Sequence, residues 1–183
     1  GDSTKSAIYI TECRRKHISI EAPDVNRSTD IYYHNGKSII LPLSIIKDVG
    51  TLAARTILDE RNKSGNFGDY FDFVARVVLR KINRTQLERL ISAGALDEFD
   101  LGRTTMLNTL DDAIKYAKLI QVPFGTQLSI DPQLVSKPVV IRMKDNQEEL
   151  SENEKAALGF NLGEQPIVHL RQKLGITYPP LAE

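Results

Sequence analysis

The strongest constraint on the fold is a turn-and-helix pattern that occurs twice. The segment SIIKDVGTLAARTIL places the turn Lys47-Asp48-Val49-Gly50 before a run of apolar residues at helical spacing. Thirty-three residues later, VVLRKINRTQLERLI repeats this order, so that Val49 aligns with Ile82 and Gly50 with Asn83. Because Gly and Asn tolerate positive φ best, the alignment predicts two similar tight turns, each of which opens a helix.

Each predicted turn is a candidate phosphate-binding site. Successive backbone N–H groups in such a turn, followed by a helix N-terminus, can converge on one anion without reading base sequence. Two helices joined by a turn of this kind, here Leu43 to Leu58, resemble the helix-hairpin-helix motif of DNA-binding proteins. The motif usually has a second glycine where this chain has Asp48, whose carboxylate would repel a phosphate unless it points away or caps the next helix. The candidate DNA contacts are Lys47, Val49, Gly50, Arg55, Arg80, Lys81, Asn83 and Arg84.

A purely structural role for both turns is equally compatible with the spacing. Short turns between helices are common in helical cores, and basic residues beside them can form a solvated face. The net charge of zero argues against a wholesale electrostatic grip on nucleic acid. Residues 37–91, however, hold ten lysines and arginines against six acidic residues, whereas residues 92–183 hold nine against thirteen. Both turns therefore lie in the basic third of the chain.

Apolar residues at helical spacing predict a mainly α fold. The most regular run extends from Met106 to Ala117. A possible capping box at Thr85 and Glu88 opens the helix that ends before Gly94. Other helices are predicted over residues 4–16, from Ala53 until the breaker sequence 63–66, over residues 71–78, and from Ser151 to Leu158.

Two stretches favour non-helical structure. Ile18 and Ile20 alternate with polar residues and predict a strand or an extended loop, and Asn35-Gly36 between β-prone runs predicts a small β-hairpin at about residues 31–41. Prolines and Gly125 interrupt residues 121–138, which we interpret as an irregular arm over the surface. The predicted architecture is a tandem helix-hairpin-helix domain with a small β-hairpin, followed by this arm.

Several function classes receive no support from the sequence. The single cysteine, Cys13, has no disulfide partner, which favours a reducing compartment and a cytoplasmic location. No apolar run has the length of a membrane span, so we expect no membrane partner. His17, His34 and His169 lack metal-ligand spacing, and no nucleophile is followed by a base partner. We therefore predict no metal site and assign no catalytic residue.

Five separated segments, taken in order, resemble one family. They are YITECRRKHISIEAPDVNRS, then LSIIKDVG after the hairpin, FDFVARV, LERLISAGALDEF and ENEKAALGFNLGEQP. Together they resemble the alpha subunits of bacterial DNA polymerase III, the C-family replicative polymerases, from about residue 5 to residue 168. The resemblance implies a piece of a longer protein. Residues 1–36 would be the C-terminal part of the fingers region, residues 37–120 the tandem helix-hairpin-helix region, and residues 121–183 an arm that leads toward an oligonucleotide-binding domain.

The resemblance also implies where catalysis would occur. In this family, nucleotidyl transfer uses metal-binding aspartates of a palm domain, including a Pro-Asp-x-Asp motif. The nearest match here is Pro23-Asp24-Val25-Asn26, in which an asparagine replaces the second carboxylate. We therefore expect a nucleotidyltransferase parent that needs Mg²⁺, whereas this segment alone is expected to be inactive and to bind no cofactor.

A third implication of the resemblance is a peptide that binds the sliding clamp. In the family such a peptide, often Gln-Leu-Ser/Asp-Leu-Phe, follows the helix-hairpin-helix region. Gln127, Leu128 and Ser129 match it, and Ile130 is a conservative substitute. Asp131 replaces the aromatic residue, and a charge at that point would weaken docking. The alternative is an ordinary linker that contains two apolar residues.

These observations lead to one functional expectation and two alternatives. We expect a noncatalytic DNA-binding and clamp-tethering part of a replicative polymerase, with DNA, the sliding clamp and other replisome subunits as partners. A protein-interaction scaffold without DNA contact would use the same helical hairpins only for packing. A free-standing enzyme is the third possibility.

Overall fold

The computed structural model describes residues 2–34 and 38–163. The predicted Asn35-Gly36 turn and His169 lie outside these ranges. The described residues form a mainly helical fold with short strands, as predicted. In chain order the elements are α1 (Asp2–Arg15), β1 (Ser19–Glu21), β2 (Tyr33–His34), β3 (Ser38–Ile40), α2 (Gly50–Ser64), α3 (Tyr70–Leu79), α4 (Arg84–Ser92), α5 (Arg103–Leu119), β4 (Gln121–Phe124), β5 (Gln127–Ile130) and α6 (Gln147–Leu158), with 3-10 turns at Leu43–Ile45 and Asp97–Phe99.

The core lies between α2, α3, α4 and α5, where their apolar stripes meet. Phe73 and Val77 of α3, Leu87 and Leu90 of α4 and Leu110 of α5 are completely buried. Each such side chain contributes roughly 1.5–3 kcal/mol by leaving water. The runs predicted as helical over residues 71–78 and 106–117 therefore contribute side chains to this core.

The strands before the first turn form a three-stranded sheet with β3 in the centre. Its antiparallel pairing with β2 sets Tyr33 opposite Ile40, which confirms the paired strands predicted at 31–41. Its parallel pairing with β1 sets Ile20 opposite Ile39. The segment around Ile18 and Ile20, predicted as strand or extended loop, therefore contributes the third strand.

Two predicted helix starts are wrong. The capping box of α4 uses Asn83 and Gln86 rather than Thr85 and Glu88: the Asn83 side chain accepts from the Gln86 N–H, and the Gln86 side chain accepts from the Asn83 N–H at 3.0 Å. Helix α6 begins after Asn146, whose side chain accepts from two backbone amides, and not at Ser151. In both cases a residue with an extended backbone outside the helix supplies the cap.

The arm predicted as irregular over 121–138 begins with a β-hairpin. Strands β4 and β5 pair antiparallel around Gly125, which has a φ of +63°, and Pro123 lies opposite Leu128. A proline is tolerated because a two-stranded ribbon consists of edge strands, which leave N–H positions unpaired. The Asp131 N–H closes the hairpin by donating to the Ile120 carbonyl at 2.8 Å. Residues 131–146, which follow the hairpin, have no regular secondary structure.

The partial match to a palm motif, Pro23 to Asn26, anchors a loop to the core. Val25 is completely buried, and its N–H donates to the Ala95 carbonyl at 3.0 Å. The Asn26 side chain donates to the Phe67 carbonyl at 2.9 Å and accepts from the Phe67 N–H at 2.8 Å. Asn26 therefore forms a two-point contact with the loop between α2 and α3.

One buried cation ties α2 to α3. Arg76 is 7% exposed, and its guanidinium contacts the equally buried Glu60 carboxylate at 3.2 Å. It also donates to the carbonyls of Gly65, at 2.6 Å, and Asn66, at 3.0 Å, and lies over the Phe67 ring. Because a buried charge without partners is costly, this set of contacts fixes the end of α2 against the start of α3.

We expect Arg76→Ala to lower the free energy of unfolding by about 3–5 kcal/mol, because it removes the buried cation and leaves Glu60 only its longer contact to Arg80 at 3.4 Å. Urea denaturation would measure the change. Arg27→Ala is the control, since Arg27 forms an exposed pair with Glu21, and its loss should be below about 1 kcal/mol. Equal effects of the two substitutions would contradict a structural role for the buried cation.

Candidate nucleic-acid interface

The two predicted turns share a backbone feature. Asp48 and Lys81 occupy equivalent positions, and their φ angles are +67° and +68°. Left-handed conformations are uncommon for residues other than glycine, so the coincidence confirms that the repeat is structural. The prediction that Asn83 takes positive φ as Gly50 does is wrong, since its φ is −95°. Asn83 is extended because it caps α4, and the left-handed residue of the second turn lies two positions earlier.

In the first turn, the predicted amides bond within the protein. The N–H groups of Val49 and Gly50 both donate to the Ile46 carbonyl, at 3.1 and 3.4 Å. The Lys47 N–H donates to the Ala157 carbonyl of α6 at 2.9 Å. The Val49 side chain is buried in the core. These backbone groups therefore shape the turn, and an anion must find other donors.

The amides of the second turn also bond within the protein, but to carbonyls at other positions than in the first turn. The N–H groups of Arg80 and Ile82 donate to the Val77 carbonyl, each at 3.0 Å, and that of Lys81 donates to the Val78 carbonyl at 2.9 Å. Ile82 is buried, as Val49 is. The packing role that the sequence left open is therefore real for both apolar turn residues.

Free amides occur just after each turn. Within the described ranges, the N–H groups of Thr51 and Leu52 in α2, and of Arg84 and Thr85 in α4, have no hydrogen-bond acceptor. All four residues are exposed, and the two pairs are again related by the repeat. First-turn amides of a helix lack intrahelical acceptors and carry the positive end of the helix dipole. This general rule could have placed the donors here from the sequence alone.

The predicted basic residues differ in how far their charge is already compensated. Arg55 pairs with Asp30 at 2.9 Å, Arg80 contacts Glu60 at 3.4 Å, and Arg84 pairs with both Glu88 and Asp111. Lys47 and Lys81 are exposed, and neither ammonium pairs with any residue in the part of the chain that the structure describes. Each turn therefore presents one uncompensated lysine.

Asp48, the residue that fitted the motif least, connects the first turn to α4. Its carboxylate accepts from Arg89 Nε at 3.0 Å, and its carbonyl accepts from Gln86 Nε2 at 3.2 Å. The same Gln86 side chain completes the cap beside the second turn. The carboxylate is therefore paired, and its contacts hold the first turn against the opening of α4.

The predicted clamp peptide forms β5. Gln127 and Leu128 are exposed near the hairpin tip, whereas Ser129 and Ile130 are partly buried, and Ile130 packs on the core. Leu128 and Phe124 line a groove of about 560 Å³ that extends to the end of α2 and to α3. The peptide is extended, as expected, but it is paired with β4. The Asp131 carboxylate accepts from the Gln133 N–H, so it stabilises a local turn.

The chain beyond the hairpin is tied back to the helices. Lys137 contacts the Asp69 carboxylate, which also caps α3, and this hydrogen bond raises the pKa of the Lys137 ammonium. Thr105 on α5 bonds to the Met143 backbone at 2.9 Å. The arm is therefore held at defined points even where it lacks regular secondary structure.

Comparison with known proteins agrees with this geometry. A family model described as a helix-hairpin-helix motif matches residues 17–106. DNA polymerase III subunit alpha of Staphylococcus epidermidis is 33% identical over 184 residues, which cover 96% of this chain and 16% of that protein. DNA polymerase III subunit alpha of Thermus aquaticus is 33% identical over 186 residues, which cover 100% of this chain and 15% of that protein. This chain belongs to the DNA polymerase III alpha subunit family.

The chain spans about one sixth of the length of these alpha subunits. The helix-hairpin-helix motif is of a DNA-binding type, and the match covers both turns and both exposed helix starts. Among the described residues, no helix combines the length and the apolar character needed to cross a bilayer. The family shown by these comparisons is the one that the five sequence segments resemble.

Proposed function

We propose that this segment of an alpha subunit grips the DNA backbone without catalysis and without sequence specificity. The observation that carries the proposal is the pair of equivalent helix starts, each with two free amides and one uncompensated lysine. Such groups suit phosphate oxygens, which are the same at every base pair. A polymerase that must move over any sequence needs contacts of this kind.

The strength of the grip follows from the small number of contacts. A helix N-terminus stabilises an anion by about 0.3–1 kcal/mol at an exposed site. Two such sites with two lysines would give weak binding, within the roughly 10⁻⁴–10⁻⁶ M range of nonspecific DNA complexes at physiological salt. The other parts of the longer protein would supply the remaining affinity.

A scaffold role without DNA contact is the second candidate. The burial of Val49 and Ile82 and the internal bonds of the turn amides favour it, since both turns contribute to packing. Packed helices leave their first amides free as a rule, so the feature that speaks against a scaffold alone is the exposed lysine without an ion-pair partner among the described residues that lies beside each pair. The two candidates differ in whether these charges matter for DNA affinity.

We expect the segment to bind duplex DNA with an affinity that falls as salt concentration rises, and the triple substitution Lys47→Ala, Lys81→Ala, Arg84→Ala to weaken binding at least tenfold. The logarithmic salt slope should decrease by roughly one unit per lost phosphate contact. Fluorescence anisotropy with a labelled duplex at several salt concentrations would measure both quantities.

The control removes the same charge elsewhere. Lys16, Lys63 and Lys144 are exposed, and they follow α1, end α2 and precede α6. Their joint replacement by alanine should change affinity and salt slope less than the first triple variant does. The backbone grip is wrong if both triple variants lose the same DNA affinity and salt slope, or if the unmodified segment shows no salt-dependent binding. Either result would favour the scaffold role.

We also propose that the β4–β5 hairpin tethers the sliding clamp. The supporting observation is that Leu128 is 56% exposed and Phe124 is 74% exposed at the hairpin tip. Apolar side chains displayed on an extended strand suit docking into a hydrophobic pocket of a partner. Full engagement of Ser129 and Ile130 would require β5 to leave the core.

We expect Gln127→Ala with Leu128→Ala to weaken clamp binding at least tenfold, because two anchor side chains are lost. Surface plasmon resonance with immobilised clamp would measure the effect. The chain offers a matched control, because Gln133-Leu134 is an exposed dipeptide of the same composition on the same arm. Equal losses from Gln133→Ala with Leu134→Ala would argue against a specific peptide, and no loss from the first pair would refute it.

Nucleotidyl transfer is proposed to reside in other parts of the longer protein. Its Mg²⁺ ions would need converging carboxylates. Among the described residues, no three His, Cys, Asp or Glu side chains gather in a way that could hold a metal ion. Asn26, at the position of the second aspartate, is committed to the Phe67 backbone. These residues do not fit a catalytic metal site, and we place the segment with the cytoplasmic replisome as a noncatalytic part.

A further inference from the structure

The contacts between the first turn and α4 connect two DNA-facing sites that are separate in sequence. Asp48 lies three residues before the free amide of Thr51, and Gln86 follows the free amide of Thr85 directly. The hydrogen bonds from Arg89 and Gln86 to Asp48 span these two places at 3.0 and 3.2 Å. They therefore join the turn that precedes α2 directly to α4.

We propose that Asp48, Gln86 and Arg89 form a latch that positions the two helix starts so that both hold phosphates of one DNA molecule at once. The inference rests on the proposed backbone grip. Two linked sites gain affinity only when their geometry allows simultaneous engagement. Asp48 is thus a positioning residue that acts through the two turns and touches no DNA.

The latch and simple electrostatics predict opposite effects on DNA affinity when Asp48 is replaced. Asp48 is an acid beside a site for an anion, so charge alone predicts that its removal tightens DNA binding. The latch predicts that removal of its contact to Arg89 weakens binding. An exposed ion pair changes an equilibrium by at most about fivefold, which sets the size of the expected effect.

Two substitutions at Asp48 separate charge from contact. Asp48→Asn and Asp48→Gly remove the same charge, and both residues tolerate the left-handed backbone found here. Asparagine retains an oxygen that can accept from Arg89, whereas glycine does not. We expect Asp48→Gly to bind duplex DNA about three- to fivefold more weakly than Asp48→Asn, with a shallower salt slope because fewer phosphates are held together.

The equivalent position in the second turn, Lys81, provides a control for the added backbone flexibility that glycine brings at Asp48. Lys81 has the same φ as Asp48, and its side chain has no hydrogen-bond or ion-pair partner in the described ranges. Lys81→Asn and Lys81→Gly therefore differ only in backbone freedom at the second turn. They should bind DNA equally well, although both more weakly than the unmodified protein because each loses a lysine.

The anisotropy titration used for the unmodified segment gives a readout for each outcome, and thermal melts confirm that the variants are folded. A difference between Asp48→Gly and Asp48→Asn that exceeds the difference at Lys81 supports the latch. The latch is wrong if Asp48→Gly and Asp48→Asn bind DNA equally well, or if the glycine and asparagine variants differ by the same factor at Asp48 and at Lys81. Neither result contradicts the proposed backbone grip. Absence of salt-dependent binding by the unmodified segment overturns the grip itself and the latch with it.

Discussion

The buried guanidinium of Arg76 is the interaction that holds together α2 and α3, the two helices beside which the turns lie. It joins the Glu60 side chain near the end of α2, the carbonyls of Gly65 and Asn66 in the following loop, and α3, on which it resides. Helix α2 begins at the first turn, and α3 ends at the second. A cation that ties these helices to each other therefore also supports the elements that carry the two turns. Because its partners are backbone carbonyls as well as a carboxylate, lysine could not reproduce the planar set of contacts.

The candidate interface arises from helix physics more than from unusual residues. Each turn is closed by internal hydrogen bonds and by one buried apolar side chain, Val49 or Ile82. The next helix then opens with exposed residues, Thr51 and Leu52 in α2 and Arg84 and Thr85 in α4. The polar donors are free because the helix geometry leaves them without acceptors, and the lysine beside each turn adds charge. Packing and the proposed anion binding would therefore use the same structure, and for this reason the sequence pattern alone could not separate them.

The sequence predicted the parts of the fold that depend on periodicity. The apolar runs over residues 71–78 and 106–117 fall within α3 and α5, and the paired strands around residue 36 were correctly placed. It did less well where two local signals competed. Both Asn83-Gln86 and Thr85-Glu88 have capping-box spacing, and the extended backbone of Asn83, which lies just outside the helix, decides between them. The β4–β5 hairpin was missed because Pro123 was taken as a breaker, although an edge strand accepts it.

For the candidate site too, the sequence predicted local features but not the contacts between residues distant in the chain. Lys47 and Lys81 were predicted from the sequence as DNA contacts. Both are exposed and have no ion-pair partner among the described residues, and their contact with DNA stays a prediction. The pairing of Arg84 with Asp111, and of Asp48 with Arg89, joins residues distant in sequence, so spacing within one segment could not reveal it. For a similar reason, the free amides do not lie in the turns, where the sequence predicted them, but at the starts of the following helices. The turn amides find acceptors in preceding residues once the chain is folded.

The central claim is that backbone amides at the two helix starts hold phosphates, and amide chemical shifts test it most directly. In a ¹H–¹⁵N titration with a short duplex, we expect the largest shifts at Thr51, Leu52, Arg84 and Thr85, and we expect them to diminish as salt is added. The start of α6 serves as the control. Because Glu148 and Glu149 make it acidic, its amide signals should not shift when DNA is added. Unchanged signals at both helix starts while other residues shift would contradict the account.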